Sequence, residues 1–329
     1  MMLGKNGQIS AAADRGARVP DELQSAVVMI VGPTGVGKSE IALRVAQDLG
    51  GEVVSLDSRL IYRGMDIGTA KPTPAERAAV PHHLIDITDP DRPMSLSEVT
   101  VAAYAAIDGI LARGKVPVLA GGTGQYVRAI RQGWVIPEVV PDWALRAELE
   151  AVAEREGAPA LHRRLAEVDP VAAARIDARN VRRVIRALEV YRHTGEPISR
   201  VQERSGSRYR LCLFGLLRSR EDLYARIDRR IDGMIAGGLE AEVRALVAAG
   251  YSFDLPAMSG LGYGEWRAYF DGTIDQDEAV RLIRRNTRRL VRNQGTWFRR
   301  DDPQIHWLDM ADSAIDLIAE VASRCAANG

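Results

Sequence analysis

Cysteine is almost missing from this chain: there are two in 329 residues, Cys212 and Cys325, and they match no metal-binding or redox spacing. That excludes a disulfide-stapled scaffold and leads us to expect a reducing compartment, the cytoplasm. No apolar run approaches the roughly 18–20 residues that a membrane-spanning helix needs, and the N-terminal stretch lacks the apolar segment of a secretory signal. Net charge is lacking as well, since 44 basic and 44 acidic side chains cancel. An even balance argues at first against a nucleic-acid partner, because phosphate backbones are bound mainly by basic surfaces. The balance is not local, however. Between Arg281 and Arg300 there are eight arginines and no acid.

What is present is an ordinary globular composition, 46% apolar and 27% charged, in a chain long enough for one elaborated domain or two. Residues 1–24, rich in Gly, Ala, Gln and charge, read as a flexible leader. From residue 26 a continuous apolar run, AVVMIV, has strand length and leads through a Gly-rich turn into a helical pattern. EVVSL (52–56), VPVLA (116–120) and 211–217 read as further strands, with a helix between 96 and 113. Short, wholly apolar strands alternating with helices imply an α/β fold whose parallel sheet is covered by helices on both faces.

From about 136 to 206 the pattern changes to helices without strands, which predicts an all-helical insert between a first core part (25–135) and a second (207–329). In its last helix Val181, Val184, Ile185, Leu188 and Tyr191 form the core stripe and leave Arg182, Arg183 and Arg186 off it. Toward the C-terminus Arg281, Arg285, Arg288 and Arg292 are spaced i, i+4, i+7, i+11. They predict a single basic face with no acid to compensate it, suited to an RNA backbone.

The strongest motif is GPTGVGKS, Gly32, Pro33, Thr34, Gly35, Val36, Gly37, Lys38 and Ser39, lying after a strand and opening a helix. This is a P-loop. Its backbone N–H groups and helix end cradle a diphosphate, Lys38 adds charge, and the Ser39 hydroxyl is a ligand for Mg²⁺. The fold expected is therefore P-loop NTPase-like. A P-loop alone does not choose between a kinase, an ATPase and a transferase with a diphosphate leaving group. Asp57, ending the second strand at the carboxyl edge, reads either as a general base or as a magnesium ligand. Arg226 and Arg230, four apart in one helical pattern, share a face and suit phosphate binding.

Beside these lie LDSRLIYRGMDIGTAKPTPAE, PHHLIDITDP, GGTGQY, LEAEVRAL and RRNTRRLVRNQGTWF. In order, and across about residues 26–309, they resemble the tRNA dimethylallyltransferase family. The resemblance implies transfer of a dimethylallyl group from dimethylallyl diphosphate to the exocyclic amine of an adenosine beside the anticodon of tRNA, with Mg²⁺ and release of diphosphate. It implies that Asp57 is the base, that Thr123 lies near the reacting amine, and that Arg226 and Arg230 serve the diphosphate.

It also implies tRNA contacts at Asp57, Ser58, Arg59, Leu60, Thr123 and Arg146, at Arg182, Arg183, Val184, Ile185 and Arg186, and at Ser259, Gly260, Leu261, Gly262, Tyr263 and Gly264. This chain departs from the family pattern at Gly264 and at Asn293. We expect a monomer that enters no membrane. Three other readings stand beside the resemblance: a small-molecule kinase, a transferase acting on free adenine nucleotides, and a non-catalytic RNA-binding module.

Overall fold

The computed structural model describes residues 26–134, 139, 141–201, 206–310 and 320. The leader, the junctions at both ends of the insert and the C-terminal tail thus lie wholly or partly outside the described residues. In chain order the elements are β1 (Ala26–Val31), α1 (Lys38–Asp48), β2 (Glu52–Ser55), α2 (Pro74–Ala79), β3 (His82–His83), α3 (Leu96–Ala112), β4 (Pro117–Gly121) and α4 (Gly124–Gln132). Then follow α5 (Trp143–Glu156), α6 (Ala158–Val168), α7 (Pro170–Ala173), α8 (Val181–Thr194), α9 (Ile198–Val201) and β5 (Arg210–Leu217). The chain continues through α10 (Arg220–Ala236), α11 (Leu239–Ala248), α12 (Trp266–Phe270), α13 (Gln276–Gln294) and β6 (His306–Asp309).

One six-stranded sheet runs β3-β2-β4-β1-β5-β6 with every pairing parallel. The expected α/β architecture is present, and β1 shows why its strands are wholly apolar: all six residues are buried. Val28 and Ile30 pack toward α1, α10, α11 and α13, while Val27, Met29 and Val31 pack toward α3 and α4. Because the strands are parallel, the loops after β2, β4 and β1 all leave one edge of the sheet. Since β4 sits between the other two, these loops are neighbours. That edge is where open α/β sheets place their ligands.

Glu52 begins β2 almost fully buried, ringed by Arg113, Lys115 and His83. Burial alone would raise its carboxyl pKa, but hydrogen bonds from Arg113, His83 and Lys115 outweigh it and hold the group at about 2. The insert builds a separate core of its own from α5 to α8, with Leu149, Val152, Leu161, Leu165, Val184 and Ile185 at its centre. Within the insert α6 ends at Asp169, whose side chain caps the short α7. Among the described residues no helix is long and apolar enough to cross a membrane.

Candidate active site

The loop after β1 forms the cradle. Gly37 adopts φ +114°, a left-handed conformation that a side chain would strain, and so turns the backbone directly into α1. Lys38 lies across the loop and donates to the Pro33 carbonyl at 2.8 Å. Burial lowers its pKa to about 8, although Asp57 opposes the shift; Arg230 adds to it.

Asp57 and Thr123 are brought together as expected. Gly121 lets β4 close on the loop after β2, since a Cβ there would meet the Leu56 carbonyl oxygen at 2.2 Å. Thr123 Oγ1 then accepts the Ser58 N–H at 3.0 Å, and Asp57 Oδ1 accepts the Arg59 N–H at 2.8 Å. Asp57 Oδ2 takes no hydrogen bond from the described residues, and Asp57 acts electrostatically on both Lys38 and Arg230. A carboxylate is thus held by one oxygen, with two cations near it.

Cradle, Asp57 and Thr123 open into one cavity of about 1290 Å³. Ser39, Ser58, Arg59, Leu60 and Leu261 also line it. Arg226 and Arg230 line the wall supplied by α10, anchored by bonds to the Gly35 and Thr69 carbonyls at 3.3 and 3.2 Å. Sequence reasoning missed further lining residues, among them Arg229, Arg289, Gln294 and Trp297. Arg229 was recoverable, being i+3 from Arg226. Trp297 packs on the start of α4 and also faces the cavity, with Arg128 over its ring at 4.7 Å.

The basic face of α13 needs correction. Arg281 is paired with Glu278, and Arg288 with Asp228 of α10 at 2.5 Å; the neighbouring Arg284 is paired with Asp232. The stripe is therefore compensated by acids from its own first turn and from α10, which the local run of sequence hides. Arg285 and Arg292 are exposed and make no ion pair among the described residues. The cavity is lined from a different face of this helix, through Asn286, Arg289 and Asn293.

In the insert Arg182 and Arg183 are exposed, but Val184 and Ile185 are turned into the core and offer no side chain to an RNA. Arg146 and Arg186 are committed to Glu189, which is fully buried. Burial would raise the Glu189 pKa, yet hydrogen bonds from Arg146, Arg186 and the Asp142 N–H hold it at about 2. Arg146 remains one-quarter exposed and lies over the Trp143 ring at 5.1 Å.

The segment Ser259–Gly264 does meet the loop after β2: Arg59 donates to the Pro256 carbonyl at 2.7 Å, and its guanidinium lies against Gly260. Tyr263, by contrast, is buried, so its ring faces no solvent. Gly262 N–H is taken by Glu265, while Ser259 and Gly264 border a smaller surface pocket.

The model of the IPP transferase family matches residues 60–301, and that of the isopentenyl transferases matches residues 25–88. The chain belongs to the tRNA dimethylallyltransferase (IPP transferase) family. It is 52% identical over 298 residues to the tRNA dimethylallyltransferase of Herpetosiphon aurantiacus, covering 91% of this chain and 94% of that one. With the enzyme of that name from Chloroflexus aurantiacus it shares 56% over 274 residues, 83% of this chain and 93% of the relative. Among solved structures it resembles the tRNA isopentenylpyrophosphate transferase of Bacillus halodurans. That match has a TM-score of 0.69 and 41% identity, over 92% of this chain and 96% of that one.

Proposed function

We propose that this protein transfers a dimethylallyl group from dimethylallyl diphosphate to the exocyclic amine of the adenosine immediately 3′ of the anticodon in tRNA, acting as a cytoplasmic monomer. The observation that carries the reading is the meeting of two kinds of loop in one cavity. One is a diphosphate cradle built on Lys38; the other is a carboxylate and hydroxyl pair, Asp57 and Thr123, bonded through Ser58. Relatives identical to this chain at more than half of the aligned positions bear the name of that activity.

In the reaction the amine nitrogen attacks the first carbon of the allyl group. The C–N bond forms as the C–O bond breaks, and the electron pair leaves with diphosphate. The amine proton passes to Asp57. Lys38, Arg226 and Arg230 hold the departing charge, and Thr123 orients the acceptor base.

The donor set also suits a magnesium ion. Ser39 presents a hydroxyl at the start of α1, and hard oxygen ligands of this kind leave room for water and phosphate oxygens. Mg²⁺ bound there supplies charge neutralisation for the diphosphate. For tRNA the arginines Arg182, Arg183, Arg285 and Arg292, all exposed, give phosphate contacts.

The test is to incubate the protein with labelled dimethylallyl diphosphate and unmodified tRNA and to locate the label. Label on the adenosine 3′ of the anticodon is expected, with none on free AMP. ATP-dependent phosphorylation of a small metabolite, without RNA labelling, would return the kinase reading in its place.

A further inference from the structure

Gln294 ends α13 with its side chain buried between two loops that the sheet no longer holds. Strands β1 and β4 stay in register up to Val31 and Gly121. Beyond that point one chain becomes the cradle and the other becomes Gly122 and Thr123. Gln294 Oε1 accepts the Thr34 N–H at 2.8 Å, and its Nε2 donates to the Gly122 carbonyl at 3.1 Å. The fit is close, because a Cβ on Gly122 would lie 2.7 Å from Nε2. Among the described residues Gln294 is the side chain that bonds to both loops.

We infer that Gln294 is a positioning residue for group transfer, setting the spacing between the loop that holds the leaving group and the loop that holds the acceptor. The inference rests on the proposed transferase reading. Displacement at carbon needs the amine nitrogen, the carbon and the departing oxygen nearly in line. Thr34 belongs to the diphosphate side of that line. Gly122 belongs to the acceptor side, since Thr123 follows it and fixes Ser58 beside Asp57. A displacement of about 1 Å between such groups costs on the order of a hundredfold in rate. An allyl carbon whose amine is misplaced is also open to water. Hydrolysis then forms the alcohol C–O bond, breaks the diphosphate C–O bond, and passes the water proton to the carboxylate or to solvent.

The experiment compares the full-length wild type with Gln294→Leu and Gln294→Glu. Leucine keeps the bulk and makes neither bond. Glutamate keeps the acceptor for Thr34 but sets a carboxylate oxygen against the Gly122 carbonyl. Three quantities are measured: the single-turnover rate at saturating tRNA, the ratio of dimethylallyl alcohol to modified tRNA, and the affinity for inorganic diphosphate with Mg²⁺. We expect the rate to fall by about thirty- to a hundredfold in both variants, with diphosphate affinity within about threefold of wild type and a raised share of alcohol.

An unchanged rate and alcohol share would overturn the inference. So would a rate loss matched by an equal loss of diphosphate affinity with no added alcohol, which would make Gln294 merely a part of the cradle. If Gln294→Leu does not fold, Gln294→Glu, judged by the same two readouts, decides the matter. Failure of the wild type to label tRNA strikes the transferase reading itself and is seen in a separate arm.

Discussion

The Tyr263 hydroxyl donates to Glu242 Oε1 at 2.6 Å, beneath the loop of residues 66–70. The same carboxylate accepts the N–H groups of Asp66, Ile67 and Gly68 at 2.9, 2.7 and 3.1 Å. Glu242 thus fills a backbone nest of the kind that binds anions. The loop it fixes carries the Thr69 carbonyl onto Arg230. The chain reaches from α11 to the cavity wall.

Removing that carboxylate should loosen the loop more than removing its tyrosine partner. Glu242→Ala leaves three backbone donors unsatisfied and should cost about 2–3 kcal/mol, while Tyr263→Phe loses one bond and should cost about 1 kcal/mol. Urea unfolding of both variants checks this. Equal losses would mean that the nest contributes nothing beyond the tyrosine.

Diphosphate binding should weaken above about pH 8. The Lys38 ammonium, lowered to about 8 chiefly by burial, is charged below that pH and neutral above it in the free protein. Bound diphosphate favours the charged form, so binding takes up a proton as pH rises through that value. Affinity should then fall by up to about tenfold per pH unit. Lys38→Arg keeps its charge throughout and should lose this pH dependence. The ligand's own ionisation is common to both proteins, and titrations with inorganic diphosphate from pH 7 to 9 compare them directly. Parallel pH profiles would show that Lys38 does not titrate there.

The arginines of α13 should separate into two classes. Arg285→Gln with Arg292→Gln should reduce the salt slope of tRNA binding by about 1.4–1.8, if each neutralises one phosphate. Arg288→Gln should leave the slope unchanged and lower stability by about 1 kcal/mol or less, because it strips Asp228 of its partner. Filter binding across a salt series, with a thermal melt of each variant, distinguishes them. A slope change on losing Arg288 would place RNA where α10 now packs.

These classes also mark what the chain discloses before it folds. β1, β2, β4 and β5 are legible because strands buried on both faces are continuous apolar runs. β3, only His82–His83, and β6, His306–Asp309, are short edge strands without such a run. The cradle, Asp57 and Thr123 are legible because short motifs place them at a strand end. The working face of α13 is not: Arg288 and Arg289 differ by one residue, about 100° around a helix, and the packing of α10 decides which meets an acid. Val184 and Ile185 were implied as contacts by resemblance, although their own periodicity places them in the core. Gln294 lies inside one of the motifs that carry the resemblance, but its role is not legible there, since a single polar residue at a helix end gains meaning only once two distant loops lie against it.

Asp57→Asn separates the two roles open to this carboxylate. Asparagine keeps the shape, and its side-chain oxygen can still accept the Arg59 N–H that orients Asp57. The remaining atom becomes an NH₂ group, which cannot take a proton from the amine and repels a cation. If Asp57 is the base, Mg-diphosphate and tRNA should bind as before while transfer falls by roughly a hundredfold or more. If it is chiefly a magnesium ligand, diphosphate affinity should fall and added Mg²⁺ should restore part of the rate. Asp57 precedes Ser58, whose N–H is held by Thr123, and it also acts on Lys38 of the cradle, so both roles are within reach of its carboxylate. Rapid-quench rates at saturating tRNA, measured over a magnesium series, decide between the two. Recovery of the rate with magnesium would move Asp57 from the proton to the metal.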